Sequence, residues 1–358
     1  MNFNKAATLV LAGFLSLGLP AGAADQVPPP VRFEAAIDVA LSTVVVRVVD
    51  TWGQPILDLS PKDFRVRAGK LEVPVVAVDW TSGEAPPAAA VESSAVAPEE
   101  MEAAVPLPPP GRLVLFFVQA DLNPTRISGQ LRLRPHTREL LETLHPDDRI
   151  AVVSYDSHLK LRQDFTRDHH TAYAALDEAM LWGEEREVAP DGPGSLASHF
   201  DFAAARDAAS PERALEVTAR ALAPLPGEKT LIYLGWGLGR YGGGGVQMTP
   251  AYAPAVRALG AARATVFVLD VTSADSHSLE VGLQSVADAT GGLYFKTFRL
   301  PGLATQTLAK AISGYYVLTL DRAQLPTKAT GSGQLQIELR DGRRGTVLAR
   351  PAVLRGGS

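Results

Sequence analysis

Three oxygen-bearing side chains follow an apolar run in the first half of the chain. The run Leu113–Val118 has the composition of a buried strand, and Asp121, Asn123 and Thr125 come after it at alternate positions. On an extended loop this spacing places the three side chains on one side. Carboxylate, amide and hydroxyl oxygens are the ligands that Mg²⁺ prefers. The spacing therefore indicates a candidate Mg²⁺ site, and the alternative is a set of turn and helix-capping residues.

The elements that position these residues are short apolar runs that alternate with helical patterns. The runs are Leu113–Val118, Ile150–Tyr155, Thr230–Leu234, Ala264–Leu269 and Leu293–Phe295, as expected for parallel strands covered on both faces. A further strand, Leu159–Gln163, follows Ile150–Tyr155 after only three residues, too few for a parallel crossover. The sequence predicts a doubly wound α/β sheet, mostly parallel, with one antiparallel edge strand.

The helices between these strands carry end signals. Gly291 and Gly314 are each predicted to end a helix in the left-handed conformation that glycine adopts at low cost. Pro135 lies inside the helix expected between residues 127 and 144, and it predicts a kink or a late start of the regular helix.

The two ends of the chain read as β structure. Residues 24–80 and 314–358 contain short β-branched or alternating runs, and each set is too small to form a stable domain alone. We therefore expect them to pack together as one β-sandwich-like unit beside the α/β domain at residues 111–313. Residues 81–110, rich in Ala, Pro and Glu without an aromatic residue, are predicted to form a flexible linker.

Residues 1–23 read as an export signal. Lys5 provides the positive region, Ala6–Leu19 the apolar stretch, and Ala21-Gly22-Ala23 the small residues of a cleavage site. The alternative is an uncleaved anchor, but the stretch is short for a membrane span, and no later apolar run reaches that length. The sequence predicts an exported protein, periplasmic or secreted, without a membrane span after cleavage.

Charge and cysteine content limit the classes of partner. The chain has no Cys, so its fold depends on its core rather than on disulfides. Its formal net charge is −5, and it becomes −6 once residues 1–23, with one Lys and no acidic residue, are removed. This balance does not suggest nucleic acid or anionic lipid as a partner.

The carboxyl edge of a doubly wound sheet is where ligands bind. Asp156 after the second strand and Asp270 after the fifth are predicted to lie at this edge with Asp121, where carboxylates suit a cation. Because Asp is also favoured in turns and helix caps, we favour that interpretation for Asp156 and Asp270.

A glycine-rich stretch follows the fourth strand. Gly237–Gly242 matches the glycine pattern of dinucleotide-binding sites, but Gly243–Gly245 and Pro250 come where a helix must open against the phosphates. We interpret the stretch as a flexible loop at the binding edge, and a nucleotide-dependent enzyme is the alternative function.

Asp121, Asn123 and Thr125 resemble the metal-ion-dependent adhesion site of von Willebrand factor type A (VWFA) domains, whose first strand is followed by Asp-x-Ser-x-Ser. Other short stretches resemble VWFA-related domains of exported bacterial proteins. These are Gln54–Leu59, Asp63-Phe64, Phe116–Asn123, Pro146–Ala151, Gln163–Thr166, Thr290–Gly292 and Tyr315-Tyr316. They run in order across nearly the whole chain after residue 24.

The resemblance implies a non-enzymatic module that binds a protein or cell-surface partner at the carboxyl edge of the sheet. A further Thr usually ligates the metal in this family, and Ser195 or Ser198 are the candidates for that position. The family also has an Asp where this chain has Trp236, whose indole cannot ligate Mg²⁺. The resemblance therefore implies a degenerate site with weak or absent Mg²⁺ binding.

Trp236, with Gly237 and Gly239 of the glycine loop, is the alternative means of contact. Trp is enriched at binding hot spots, so an exposed Trp236 favours direct contact with a protein partner. The other interpretation is that Trp236 fills the core.

Overall fold

The computed structural model describes residues 41–82, 111–192, 194–321, 335–340 and 344–351. These residues belong to one compact unit, Val39–Ser358. The expected signal peptide at residues 1–23 lies outside the described residues, as does the expected linker beyond Ser82.

The described residues form fifteen strands and seven α-helices, in chain order. The strands are β1 (Leu41–Val49), β2 (Phe64–Ala68), β3 (Leu71–Val73), β4 (Val75–Ser82), β5 (Leu113–Gln119), β6 (Arg149–Tyr155), β7 (Leu159–Thr166), β8 (Lys229–Gly235), β9 (Arg240–Gly242), β10 (Gly245–Gln247), β11 (Ala264–Asp270), β12 (Tyr294–Lys296), β13 (Gly314–Asp321), β14 (Leu335–Leu339) and β15 (Thr346–Ala349). The helices are α1 (Pro124–Glu142), α2 (His169–Met180), α3 (Phe202–Arg206), α4 (Pro211–Leu222), α5 (Tyr252–Ala261), α6 (Glu280–Thr290) and α7 (Pro301–Ala311).

The central sheet has the strand order β12-β11-β8-β5-β6-β7. Every neighbouring pair is parallel except β6 and β7, which form the predicted antiparallel hairpin at the edge. Strands β6 and β7 lie on one side of β5, and β8, β11 and β12 lie on the other side. The strand order therefore reverses between β5 and β8. The prediction of a doubly wound, mostly parallel sheet is confirmed.

Helices cover both faces of this sheet. Alternate residues of β5 point to opposite faces, so Leu115 and Phe117 join the core cluster that contains residues of α4, α5 and α6. Val114 and Phe116 join the cluster that contains residues of α1, α2 and α7. Burial on both faces explains why the strand is apolar throughout.

Strands from the two ends of the chain form the smaller β unit. One sheet has the order β15-β1-β13-β4 and a second has the order β14-β2-β3. The antiparallel pair of β1 and β13 runs from Leu41 opposite Asp321 to Val46 opposite Tyr316, so it joins the two chain ends directly. Residues of both sheets share one apolar cluster, as a sandwich requires. Strand β4 continues to Ser82, two residues beyond the expected boundary.

One of the two glycines predicted to end a helix does so, and the other does not. Gly291 ends α6 with a φ of +72°, as predicted. The prediction for Gly314 was wrong, because α7 ends at Ala311 and Gly314 opens β13. A side chain at Gly314 would collide with Trp80 on the neighbouring strand, so close packing explains this glycine. Helix α1 continues through Pro135 to Glu142.

Candidate binding edge of the parallel sheet

The loops after β5 and β8 meet at the point where the strand order reverses. Gln119, at the end of β5, is only 1% exposed and ties the two loops together. Its Oε1 accepts hydrogen bonds from the backbone N–H of Trp236 at 3.0 Å and of Gly237 at 3.3 Å. Its Nε2 donates to the Gly237 carbonyl at 3.0 Å. Sequence analysis missed Gln119, because its partners come from a strand more than a hundred residues away.

The three predicted Mg²⁺ ligands lie together at the start of α1, where they satisfy local hydrogen bonds. Asp121 Oδ1 accepts from the Asn123 N–H at 2.7 Å. Asn123 is the N-cap of α1, and its Oδ1 accepts from the Thr125 N–H at 3.0 Å and from the Thr125 hydroxyl at 2.7 Å. The set thus performs the turn and capping roles that the sequence left as the alternative.

Arg126 occupies the space between two of the predicted site residues. Its Nη1 forms an ion pair with Asp121 Oδ2, and its Cζ lies 3.2 Å from the centroid of the Trp236 ring. The Asp121 and Arg126 side chains are each 27% exposed, so the pair lies at the surface of the edge. A guanidinium stacked on an aromatic face and paired with a carboxylate is held in one orientation. Sequence analysis did not single out Arg126.

Trp236 is half-buried between this guanidinium and the core. Its ring packs against the apolar cluster on the face that carries α1, α2 and α7. Its Nε1 is buried and has no hydrogen-bond partner among the residues that the structure describes. Trp236 therefore fills part of the core with one part of its ring system and packs against the Arg126 guanidinium.

The glycine stretch, which the sequence predicted to be a flexible loop, contains a short hairpin. Strands β9 and β10 pair antiparallel, with Arg240 opposite Gln247. The next helix, α5, begins only at Tyr252, so no helix follows the glycine pattern where a dinucleotide phosphate would need one.

The predicted contact glycines lie at the base of this hairpin. Gly237 is buried, and its N–H and carbonyl are both bonded to Gln119. The Gly239 N–H donates to Oε1 of the buried Glu212 at 2.7 Å. Their contact role stays a prediction, whereas the aromatic side chain of Tyr241 on this hairpin is 72% exposed.

The two serines considered as a further metal ligand do not join the edge. The Ser195 hydroxyl donates to the buried carboxylate of Asp164, and the Ser198 N–H donates to Ser195 Oγ at 3.2 Å. Asp164 lies in β7 near Thr166, which pairs with Ile150 at the amino end of β6. Ser195 is therefore near the amino ends of the parallel strands, whereas Asp121 follows the carboxyl end of β5.

Asp270 at the end of β11 belongs to a separate hydrogen-bonded cluster. Its Oδ2 lies 2.8 Å from His277 Nε2 and accepts from the Tyr294 hydroxyl at 2.5 Å. Burial alone would raise the pKa of Asp270, but the hydrogen bonds from His277 and Tyr294 lower it below its ordinary value. The atoms of Asp270, His277 and Glu280 that could ligate a metal ion lie within 4.8 Å of one another. Lys296 Nζ lies 3.2 Å from Glu280, where it competes with any cation.

Asp156, after β6, has a partner of its own. It accepts a hydrogen bond from Lys160 Nζ at 2.6 Å and one from the Ser157 hydroxyl at 2.9 Å. Burial acts to raise the pKa of Asp156, but these hydrogen bonds outweigh it and lower the pKa to about 2. The ion pair with Lys160 therefore gives Asp156 a structural role.

The donor set at the start of α1 does not fit Mg²⁺. Asp121 is neutralised by Arg126, and Asn123 Oδ1 is already bonded twice. Ser195 is near the other edge, and Trp236 offers no oxygen. A hard divalent cation needs several free oxygen ligands, which this arrangement does not provide.

The chain matches no protein-family model and no curated protein sequence. Among solved structures it is similar to the conserved hypothetical protein BatB from Bacteroides thetaiotaomicron, with 15% identity, a TM-score of 0.38, and coverage of 57% of this chain and 98% of that chain. The von Willebrand factor type A protein from Catenulispora acidiphila has 13% identity and a TM-score of 0.40, with 67% of this chain and 65% of that chain covered.

A further similar structure is the vWF domain of Mfa5, the type V pili tip protein from Porphyromonas gingivalis. It has 11% identity and a TM-score of 0.38, and the match covers 56% of this chain and 95% of that chain. Structures of von Willebrand factor type A domains are thus among those that this chain resembles. Within the described ranges, no helix is long and apolar enough to cross a membrane.

Proposed function

We propose that this chain is an exported, non-enzymatic interaction module whose protein partner binds at the carboxyl edge of the sheet, with Arg126 as a fixed cation. The observation that carries the proposal is the position of the Arg126 guanidinium, in contact with both Asp121 and Trp236. In the family that the sequence resembles, a carboxylate of the partner completes the coordination of a metal. Here a covalently attached cation stands beside the same Asp.

A guanidinium can take the place of the metal as the group that a partner carboxylate recognises. It has five N–H donors, so an ion pair with Asp121 leaves donors for a second carboxylate. The contact with Trp236 orients the guanidinium plane and reduces the side-chain entropy lost on binding. Two large exposed side chains offer contact area around the charge, Leu122 at 74% exposure in the loop after β5 and Tyr241 at 72% in β9. The partner surface is therefore expected to present an acidic side chain among apolar ones.

Export and domain organisation belong to the same proposal. Residues 1–23 would direct the chain to the periplasm or the cell exterior, and the residues between Ser82 and Gly111 would link the first β strands to the α/β domain.

The test is capture of partners from the envelope and secreted fractions of the source organism by residues 24–358. Arg126→Gln removes the charge but keeps a polar side chain, and Tyr241→Ala removes an exposed ring. We expect each variant to reduce the affinity for the captured protein about tenfold or more, as for hot-spot residues. Trp52→Ala, with the same 72% exposure but in the β unit, is the matched control and should bind like the unaltered protein.

Arg126→Lys separates charge from geometry. Lys keeps the positive charge but lacks the planar fork, so its affinity should lie between those of the unaltered protein and Arg126→Gln. Equal capture by all variants would contradict the proposal, because the partner would then bind at another surface.

A further inference from the structure

The opposite, amino-terminal edge of the parallel sheet borders a cavity of about 180 Å³. It lies between that sheet and the β unit, and three of its lining residues are arginines, Arg47 of β1, Arg112 before β5 and Arg149 of β6. Its lining includes one carboxylate, Glu228. We call this space the basic cavity.

Two of the nearby positive charges already have acidic partners. Arg112 Nε donates to Asp148 Oδ1 at 3.0 Å, and Asp148 is fully buried beneath it. Glu228 is paired with Arg350, whose Nη2 lies 2.6 Å from Glu228 Oε2. These pairs leave the charges of Arg47 and Arg149 to be accounted for.

Arg47 is a buried guanidinium without a carboxylate partner. Its side chain is almost fully enclosed, since the residue is 5% exposed, and its Cζ lies 5.4 Å and 5.6 Å from the ring centroids of Phe267 and Tyr315. Its Nη1 donates a long hydrogen bond of 3.3 Å to Thr265 Oγ1. Its Nε is buried and has no hydrogen-bond partner within the described part of the chain.

Arg149, on β6 of the central sheet, is only partly buried. Its Nε is also buried without a partner among the described residues, and its Cζ lies 5.9 Å from the Phe165 ring centroid. In the described ranges, neither Arg47 nor Arg149 forms an ion pair within 4 Å. Arg47 therefore lacks the neutralisation that a buried charge normally has, whereas the side chain of Arg149 is partly exposed.

The electrostatic surroundings agree with this excess of positive charge. Burial lowers the pKa of Arg47 to about 10, with Glu228 opposing the shift and Arg350 adding to it. Burial also lowers the pKa of the neighbouring Lys229 to about 8, with Glu228 opposing the shift and Arg263 and Arg350 adding to it.

We propose that the basic cavity binds a small oxyanion, of the carboxylate or phosphate class, beside Arg47. Oxyanions of this class accept paired N–H bonds from a guanidinium, and within the described residues Arg47 donates only one long hydrogen bond, to Thr265. Thr81 and Thr230 also line the space and add hydroxyl groups of the kind that bind oxyanions. The volume suits an anion of a few heavy atoms rather than a nucleotide or a polymer.

The test uses residues 24–358 with sodium phosphate and sodium succinate as separate probes, and sodium chloride at equal ionic strength as the reference. We expect at least one oxyanion, at about 10 mM, to raise the melting temperature by several degrees over chloride, because only the folded state has the cavity. Titration calorimetry should give one site per chain. Arg47→Met should weaken binding about tenfold or more and remove the shift.

Arg47→Met is informative even without ligand, because replacing an unpaired buried charge by an apolar side chain of similar length should not destabilise the protein in chloride. Arg138→Met, at an exposed ion pair on α1, is the matched control and should keep the full response. A further variant distinguishes a free anion from a carboxylate of the chain itself. If side-chain carboxylates compete for the cavity, their removal should raise the affinity for added anion. This variant carries Gln in place of Glu84, Glu92, Glu99, Glu100 and Glu102. The proposal is overturned if neither probe binds any of these proteins, or if Arg47→Met responds like the control.

Discussion

Arg126 changes the chemistry available to Asp121 at the residue scale. Arg126 forms an ion pair with Asp121, so a positive charge that is part of the chain lies where a metal ion would otherwise bind. Such a cation cannot dissociate, and it needs no coordination shell from Ser195 or from the position of Trp236. Trp236, whose indole cannot ligate a metal, is therefore compatible with a cation held covalently at Arg126.

A divalent-cation titration tests this view of Asp121. We expect Mg²⁺ or Mn²⁺ at about 10 mM to move the melting temperature of residues 24–358 by less than about 1 °C relative to EDTA, because a ligand that does not bind the folded state cannot stabilise it. Asp121→Ala should show the same small response. A clear increase that disappears in Asp121→Ala would contradict the fixed-cation interpretation and restore metal binding.

The candidate edge was only partly predictable from the sequence. Spacing after an apolar run was enough to place Asp121, Asn123 and Thr125 together, because local spacing fixes which side chains share a turn. Gln119 and Arg126 escaped notice, because each acquires its role by contact with residues near position 236, and a single sequence does not reveal which distant residues touch. Their polar character at the end of a strand and in a first helical turn is too common to be a signal.

At the scale of elements, connection length and burial were the reliable guides. Three residues between β6 and β7 permit only a hairpin, and the near-continuous apolar runs identified the parallel strands. The hairpin of β9 and β10 was not predicted, because glycine-rich sequence lacks β propensity and its pairing depends on the fold around it. Gly314 was misread because a glycine needed for close packing looks the same as one that ends a helix.

The hairpin turn offers a matched test of backbone conformation. Gly244 and Gly245 both have open space where a side chain would lie, but only Gly245 has a positive φ, of +108°. Gly244→Ala should stabilise the protein by about 0.5 kcal/mol, because the unfolded chain loses freedom, whereas Gly245→Ala should destabilise it by about 1 kcal/mol. Urea unfolding measures both changes. Equal effects of the two substitutions would mean that the hairpin is not formed in solution.

At the scale of the whole molecule, the β unit contributes residues to the core of the α/β layer. Val49 of β1 is 3% exposed and belongs to the apolar cluster of the α/β layer, together with Phe116 of β5. Arg47 of β1 adds a link, since its guanidinium donates a hydrogen bond to Thr265 Oγ1 of β11. The sequence predicted that the two chain ends would pair, but not that they would share a core with the parallel sheet, because the pattern of a strand shows which side is apolar and not what covers it.

A shared core predicts that the two parts unfold together. Val49→Ala should lower the free energy of unfolding by about 2 kcal/mol, because it removes packed methyl groups at the junction. The melting curve should shift as one transition, with equal calorimetric and van't Hoff enthalpies, since neither part keeps a complete core after the other unfolds. Val76→Ala, at a 54% exposed position of β4, is the control and should change stability by less than about 0.5 kcal/mol. If Val49→Ala instead splits the curve into two transitions, the β unit and the α/β layer are independent folding units, and the junction is a contact surface rather than a common core.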